Sequence, residues 1–242
     1  MPSGFDRREF IETAGAAAAT LALGAELAPG SASAQTASDP KGTPMTYSMK
    51  PLPFDPRQIK GLSEKILTSH YENNYGGAVK RLNAIGAQLA SLDWATAPTF
   101  LVNGLKREEL IATNSMILHE HFFDALGGEG DPTGSLAEAI KRDFGSVERW
   151  RAEFSAMGKA EGGGSGWVIL AYSPRDKRLV NTWAADHTTT LAGGRPVLVL
   201  DMYEHAYHMD YGAKAAAYVE SFMQGIRWDA PAQLYERYSR ES

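Results

Sequence analysis

Apolar residues recur at helical spacing over the stretch from Ile59 to about Ala90. Ile59, Leu62, Ile66 and Leu67 lie on one face, and Val79, Leu82 and Ile85 repeat the pattern. Gly76-Gly77 separates the two halves and marks a break, a bend or a place of close chain packing. Ahead of this helical pattern, PLPFDPR (51–57) reads as extended or turned, because its prolines restrict the backbone. Pro98 opens a second helical region. Within it EELIATNSMILHEHFFDAL (108–126) is a strong helix with an apolar face, and GGEGDPTGS (127–135) is a loop. Residues 136–142 and 147–160 read as two more helices around the turn DFGS.

The period then changes. GSGWVILAYS, KRLVNTWAA and RPVLVLDMY alternate or run apolar and are rich in strand formers, with SPRDK as a hairpin-like turn between the first two. From Ala213 to Tyr238 the pattern returns to helices around Trp228. The order is α+β rather than a βαβ series. A helical hairpin domain over 51–130 precedes a mixed domain over 131–242, in which helices flank a small three-stranded antiparallel sheet. The glycine-rich EGGGSG (161–166) lacks the Lys-Ser/Thr ending and the preceding strand of a phosphate loop, so it reads as a turn where backbone packs tightly.

Composition narrows the chemistry. The 242 residues carry 24 Lys plus Arg against 29 Asp plus Glu, a net charge of −5 that offers no basic surface to nucleic acid. With 43% hydrophobic residues the chain can build a real core. Cysteine is absent, which excludes disulfides, cysteine nucleophiles and thiolate ligands, so a metal must be held by nitrogen and oxygen. Residues 1–34 differ from the rest: Arg7-Arg8 in RREFI, a weakly apolar small-residue stretch interrupted by Glu26, then Ala32-Ser33-Ala34. That is the three-part layout of an export signal, and RREFI resembles the twin-arginine type. The expectation is an exported, periplasmic protein with a flexible mature N-terminus over 35–50 and no stable membrane insertion after processing.

The six histidines are His70, His119, His121, His187, His205 and His208. His119 and His121 stand two apart on one helix and cannot face the same way, so at most one points inward. In DMYEHAY (201–207), Asp201 and His205 stand four apart after the apolar run VLVL. A carboxylate there needs a partner or a metal. Three histidines and one carboxylate from separated segments suit manganese or iron, with zinc possible on ligand type. The alternative is that His70 and His119 are core histidines satisfied by hydrogen bonds.

DMYEHAY resembles the D-x-[WY]-E-H-A-[YF] signature of the iron/manganese superoxide dismutase family. HEHFFDAL resembles its second-ligand helix, and LPF (52–54) with SHYENNYGGAVKRLN its first. AIKRDFGS and GSGWVIL resemble its linker and first strand. The likeness covers about residues 50–240. It implies one iron or manganese ion per subunit on His70, His119, Asp201 and His205, superoxide as substrate, and pocket walls from Trp167, Phe123 and Tyr203. It also implies a homodimer or tetramer in which Glu204 reaches a ligand histidine of the partner subunit, with His208 where the family usually has tyrosine.

The sequence departs from the family where the substrate approaches. The family's steps of four after the first ligand carry histidine and tyrosine; here they give Asn74 and Ala78, while Tyr75 stands one residue off and is expected to face elsewhere unless the Gly76-Gly77 pair rotates the helix. The family's frequent glutamine is missing from AADHTTT, leaving His187, or failing it Asp186, to reach the metal-bound solvent. Asn74, Trp167 and His187 are therefore the expected catalytic set. These departures keep a second reading open, a metal-binding homologue with little dismutase activity; a third, a non-haem iron oxygenase, needs only two histidines and one carboxylate, and the additional imidazole weighs against it.

Overall fold

In a computed structural model, the structure describes residues 44–242. The expected export signal lies outside the described residues, as does most of the expected flexible segment. The chain enters along extended backbone and passes through a turn of 3-10 helix at Pro56–Gln58. It then forms α1 (Glu64–Ser69), a π-helical turn (His70–Tyr75), α2 (Gly76–Ser91) and α3 (Thr99–Asp124). The helix expected from Ile59 thus starts five residues later. Ser63 ends the irregular segment by accepting a hydrogen bond from the Ile66 amide at 3.2 Å, so Ile59 and Leu62 belong to the approach and not to the helix. The apolar spacing continues across the boundary because both sides face the same core.

The Gly76-Gly77 pair does not break the helix. The π-turn before it leads directly into α2, and the bare α-carbon of Gly76 admits the Met49 side chain, whose sulfur would stand 3.0 Å from an added Cβ. Two helices follow, α4 (Gly134–Phe144) and α5 (Val147–Glu161), the second capped by Ser146.

Three antiparallel strands come next, β1 (Trp167–Ser173), β2 (Arg178–Ala184) and β3 (Arg195–Asp201), in the order β2-β1-β3. Central β1 is buried along its whole length, as its unbroken apolar run requires. Its register sets Trp167 opposite Ala184 on one side and Asp201 on the other, which places the site. After β3 come a 3-10 turn at Glu204–Ala206, α6 (His208–Tyr211), α7 (Ala215–Gln224) and α8 (Asp229–Arg240). The fold is α+β, with the helical region first and the flanked three-stranded sheet second. Among the described residues no helix is long and apolar enough to cross a membrane.

Candidate metal centre

Four side chains from four elements converge. His70 opens the π-turn, His119 lies on the buried face of α3, Asp201 ends β3, and His205 sits in the 3-10 turn that follows. Their ligand-capable atoms all lie within 4.8 Å of one another. Asp201 Oδ2 stands 3.1 Å from His70 Nε2, 3.3 Å from His205 Nε2 and 3.7 Å from His119 Nε2. Nitrogen and oxygen ligands about 2.1 Å from one ion would themselves be roughly 3–4 Å apart, which is the spacing of the three Asp201–histidine pairs.

Neighbours fix each ligand. The His119 Nδ1–H donates to the Ser115 carbonyl oxygen at 2.6 Å, leaving Nε2 with its lone pair turned to the cluster. Asp201 Oδ1 accepts from the Tyr203 amide at 2.9 Å, and the Asp201 carbonyl accepts from the Tyr218 hydroxyl at 2.8 Å, so Oδ2 is the oxygen left for the histidines. His70 and His119 are buried, and neither Nε2 has a hydrogen-bond partner. A buried polar atom without a partner costs free energy, and one ion at the centre would satisfy both. Core histidines held by hydrogen bonds would not show this, and the donor set fits iron or manganese.

The electrostatics agree. Burial, and then the neighbouring imidazoles, lower His119 to about 3, and burial lowers His70 despite Asp201. Both rings are neutral at physiological pH, the form that ligates. Burial alone would raise Asp201, but the His205 and His70 rings beside it win and hold the carboxyl well below its ordinary value. The walls are aromatic: ring centroids of Phe122 and Phe123 lie 5.1 and 5.0 Å from His70, Trp167 meets His119 edge-on at 5.2 Å, and Tyr203 stacks on His205 at 5.3 Å.

His121 turns away, half-buried in a recess with Lys50 and Arg237; burial and these two cations lower it to about 4. Its two-residue offset from His119 accounts for this. His187 is half-buried beside the cluster, 6.4 Å from the His119 ring and stacked on Tyr203 at 4.8 Å. Its Nδ1 accepts the indole N–H of buried Trp167 at 3.0 Å, which puts the proton of the neutral ring on Nε2. Asp186 is held in its own loop by the Thr188 amide and hydroxyl at 2.7 and 2.6 Å, which leaves His187 as the residue of that loop facing the site.

Tyr75 corrects an expectation. It faces the interior, 1% exposed, with its ring 6.4 Å from His119 and its hydroxyl donating to Glu120 Oε1 at 3.0 Å. The π-turn, not the glycine pair, brings it there: the wider turn carries an extra residue and shifts the inward face by one position. Asn74 is half-buried on the same turn and Ala78 is buried on α2. Glu204 and His208 are exposed.

Sequence reasoning missed two contributors: Ser115, which holds His119, and Glu120, which holds Tyr75. Only Ser115 had a local signal, one helical turn before a ligand histidine.

Residues 132–234 match the family model of iron/manganese superoxide dismutases, C-terminal domain. The chain is 70% identical over 197 residues, 81% of its length, to the whole of "Superoxide dismutase [Fe]" of Cupriavidus metallidurans. It is 35% identical over 198 residues to "Superoxide dismutase [Mn] 2" of Haloferax volcanii, covering 80% of this chain and 97% of that one. It is 33% identical over 190 residues to "Superoxide dismutase [Fe]" of Aquifex pyrophilus, covering 75% and 88%. With the four ligands in place and these relatives matched across nearly their whole lengths, the chain belongs to the iron/manganese superoxide dismutase family.

Proposed function

We propose that this protein is a superoxide dismutase built on one iron or manganese ion per subunit, held by His70, His119, Asp201 and His205. The observation that carries this is the convergence of three imidazole nitrogens and one buried carboxylate oxygen, with the Nε2 atoms of His70 and His119 unpartnered. When bound there, the ion would supply the one-electron couple for converting two superoxide anions and two protons into oxygen and hydrogen peroxide. The chain supplies the rest. Asp201 and three imidazoles hold the ion, and the aromatic walls shield the ligand side from water.

His187 takes the place of the family's glutamine: Trp167 orients its ring, and its Nε2–H donates to oxygen arriving at the open side. Asn74 lines the approach as a neutral hydrogen-bonding group. Glu204 and His208 complete a homodimer, Glu204 accepting from a ligand histidine of the partner subunit. Residues 1–34 serve as a twin-arginine export signal, delivering the protein to the periplasm.

The central test is metal content with superoxide consumption in the same preparation. His119→Ala loses the metal and activity, while His121→Ala keeps both; the reverse pattern overturns the ligand assignment. His187→Ala retains metal and lowers kcat roughly ten- to a hundredfold. A monomer by sedimentation would end the dimer assignment. Retention of the full-length chain in the cytoplasm, with none recovered from the periplasm, would end the export assignment.

A further inference from the structure

The extended segment at the start of the described residues is tied to both ligand-bearing helices. Tyr47 pairs its backbone N–H and carbonyl with the Asn83 side-chain amide, each at 2.8 Å. Three residues on, both ends of Lys50 are gripped by the tyrosines of the π-turn. Its N–H donates to the Tyr75 hydroxyl at 2.8 Å, and its carbonyl accepts from the Tyr71 hydroxyl at 2.9 Å. The Tyr75 hydroxyl donates onward to Glu120 Oε1 at 3.0 Å, and the Lys50 ammonium pairs with the other oxygen of the same carboxylate. Tyr71 directly follows ligand His70, and Glu120 directly follows ligand His119. The Tyr75 ring fills the space beside His119 and Phe123, 6.4 and 6.2 Å away.

We propose that Lys50, Tyr71, Tyr75 and Glu120 form a latch that holds the His70 and His119 segments at ligand spacing, so that docking of residues 44–50 and metal binding strengthen each other. The latch rests on the metal-site reading above and adds a positioning residue, Tyr75, that touches no metal. The Lys50–Glu120 ion pair is solvent-facing on the lysine side and contributes little alone. The weight falls on the buried phenol oxygen, whose removal leaves a backbone N–H and a carboxylate oxygen short of a partner. Coupling of this kind is reciprocal: whatever factor docking adds to metal affinity, metal adds to docking. A Tyr75 that merely filled space would lower stability without linking the two.

The experiment uses the full-length chain loaded with iron. Iron loss to excess EDTA is timed for the parent, Tyr75→Phe, Lys50→Ala and Lys50→Arg, and hydrogen exchange at the Lys50 amide is compared in iron-loaded and metal-free parent. The latch requires iron loss about tenfold faster in Tyr75→Phe, a smaller acceleration in Lys50→Ala, and near-parent rates in Lys50→Arg. It also requires Lys50 exchange about tenfold faster in metal-free parent. Absence of either the iron-loss or the exchange effect overturns it. If Tyr75→Phe does not fold, the exchange comparison decides. A parent that takes up neither iron nor manganese overturns the metal reading and the latch with it; one that takes only manganese is put through the same measurements loaded with manganese.

Discussion

Glu161 is the least compensated charge-bearing group among the described residues. It is 6% exposed, neither carboxyl oxygen has a hydrogen bond, and burial followed by Asp201 pushes it up to about 8. Unfolded, the same carboxyl titrates near its ordinary 4.5. The folded state therefore holds a proton that the unfolded state has lost, and stability drains away as pH rises from 4.5 towards 8. Glu161→Gln should raise the free energy of unfolding by roughly 1–3 kcal/mol at pH 8 and by far less at pH 4. Urea melts at the two pH values check this; an equal gain at both would mean the carboxyl is not held neutral.

At the scale of elements, the approach of α5 to the start of β1 governs how the sheet presents Asp201. Gly166 lies where the C-terminus of α5, Ala184 of β2 and Asp201 of β3 come together. A Cβ there would stand 2.7 Å from the Ala184 carbonyl oxygen and 2.9 Å from Glu161 Oε2. The Gly166 carbonyl also accepts the Met202 amide at 2.9 Å, one residue beyond Asp201, so the backbone cannot shift without moving the ligand. Gly166→Ala should cost roughly 2–4 kcal/mol, the scale of a backbone clash in a packed interior. It should also weaken metal retention, read by thermal melting and metal analysis on one sample. A variant that melts lower but keeps full metal would separate the clash from the ligand.

At the scale of the whole molecule, the ion draws together an early helix, a later helix and the end of the sheet. Removing it leaves a carboxylate and three imidazoles facing one another, with Asp201, His70 and His119 buried. With metal at a hundred times its Kd, binding adds about 2.7 kcal/mol, so chelation should lower Tm by roughly 5–11 °C. The metal-free protein should weaken further in acid. His119 titrates at about 3 when folded and 6.5 when unfolded, so below pH 6.5 the unfolded chain takes a proton that the folded one refuses. This one group removes about 1.4 kcal/mol per pH unit over that window. Asp201, lowered from 3.8, extends the loss at lower pH. Metal-free melts between pH 7 and 4 check the slope; a flat profile would place His119 in a wetter setting than the structure shows.

The sequence, with the family likeness of its short motifs supplying the choice of the four ligands, determined the helical and strand periods, the α+β order and the absence of thiolate chemistry. Each of these is written locally, in apolar spacing, in composition or in motifs a few residues long. Tertiary structure alone decided that Ile59 stays outside α1, that Tyr75 turns inward on a π-turn, that Asp186 is spent on its own loop, and that Lys50 and Glu120 meet 70 residues apart. The physical reason is that these outcomes rest on competition for hydrogen-bond partners and interior space between distant segments. Side-chain period carries no record of that competition, whereas a ligand motif repeats its chemistry in the chain itself.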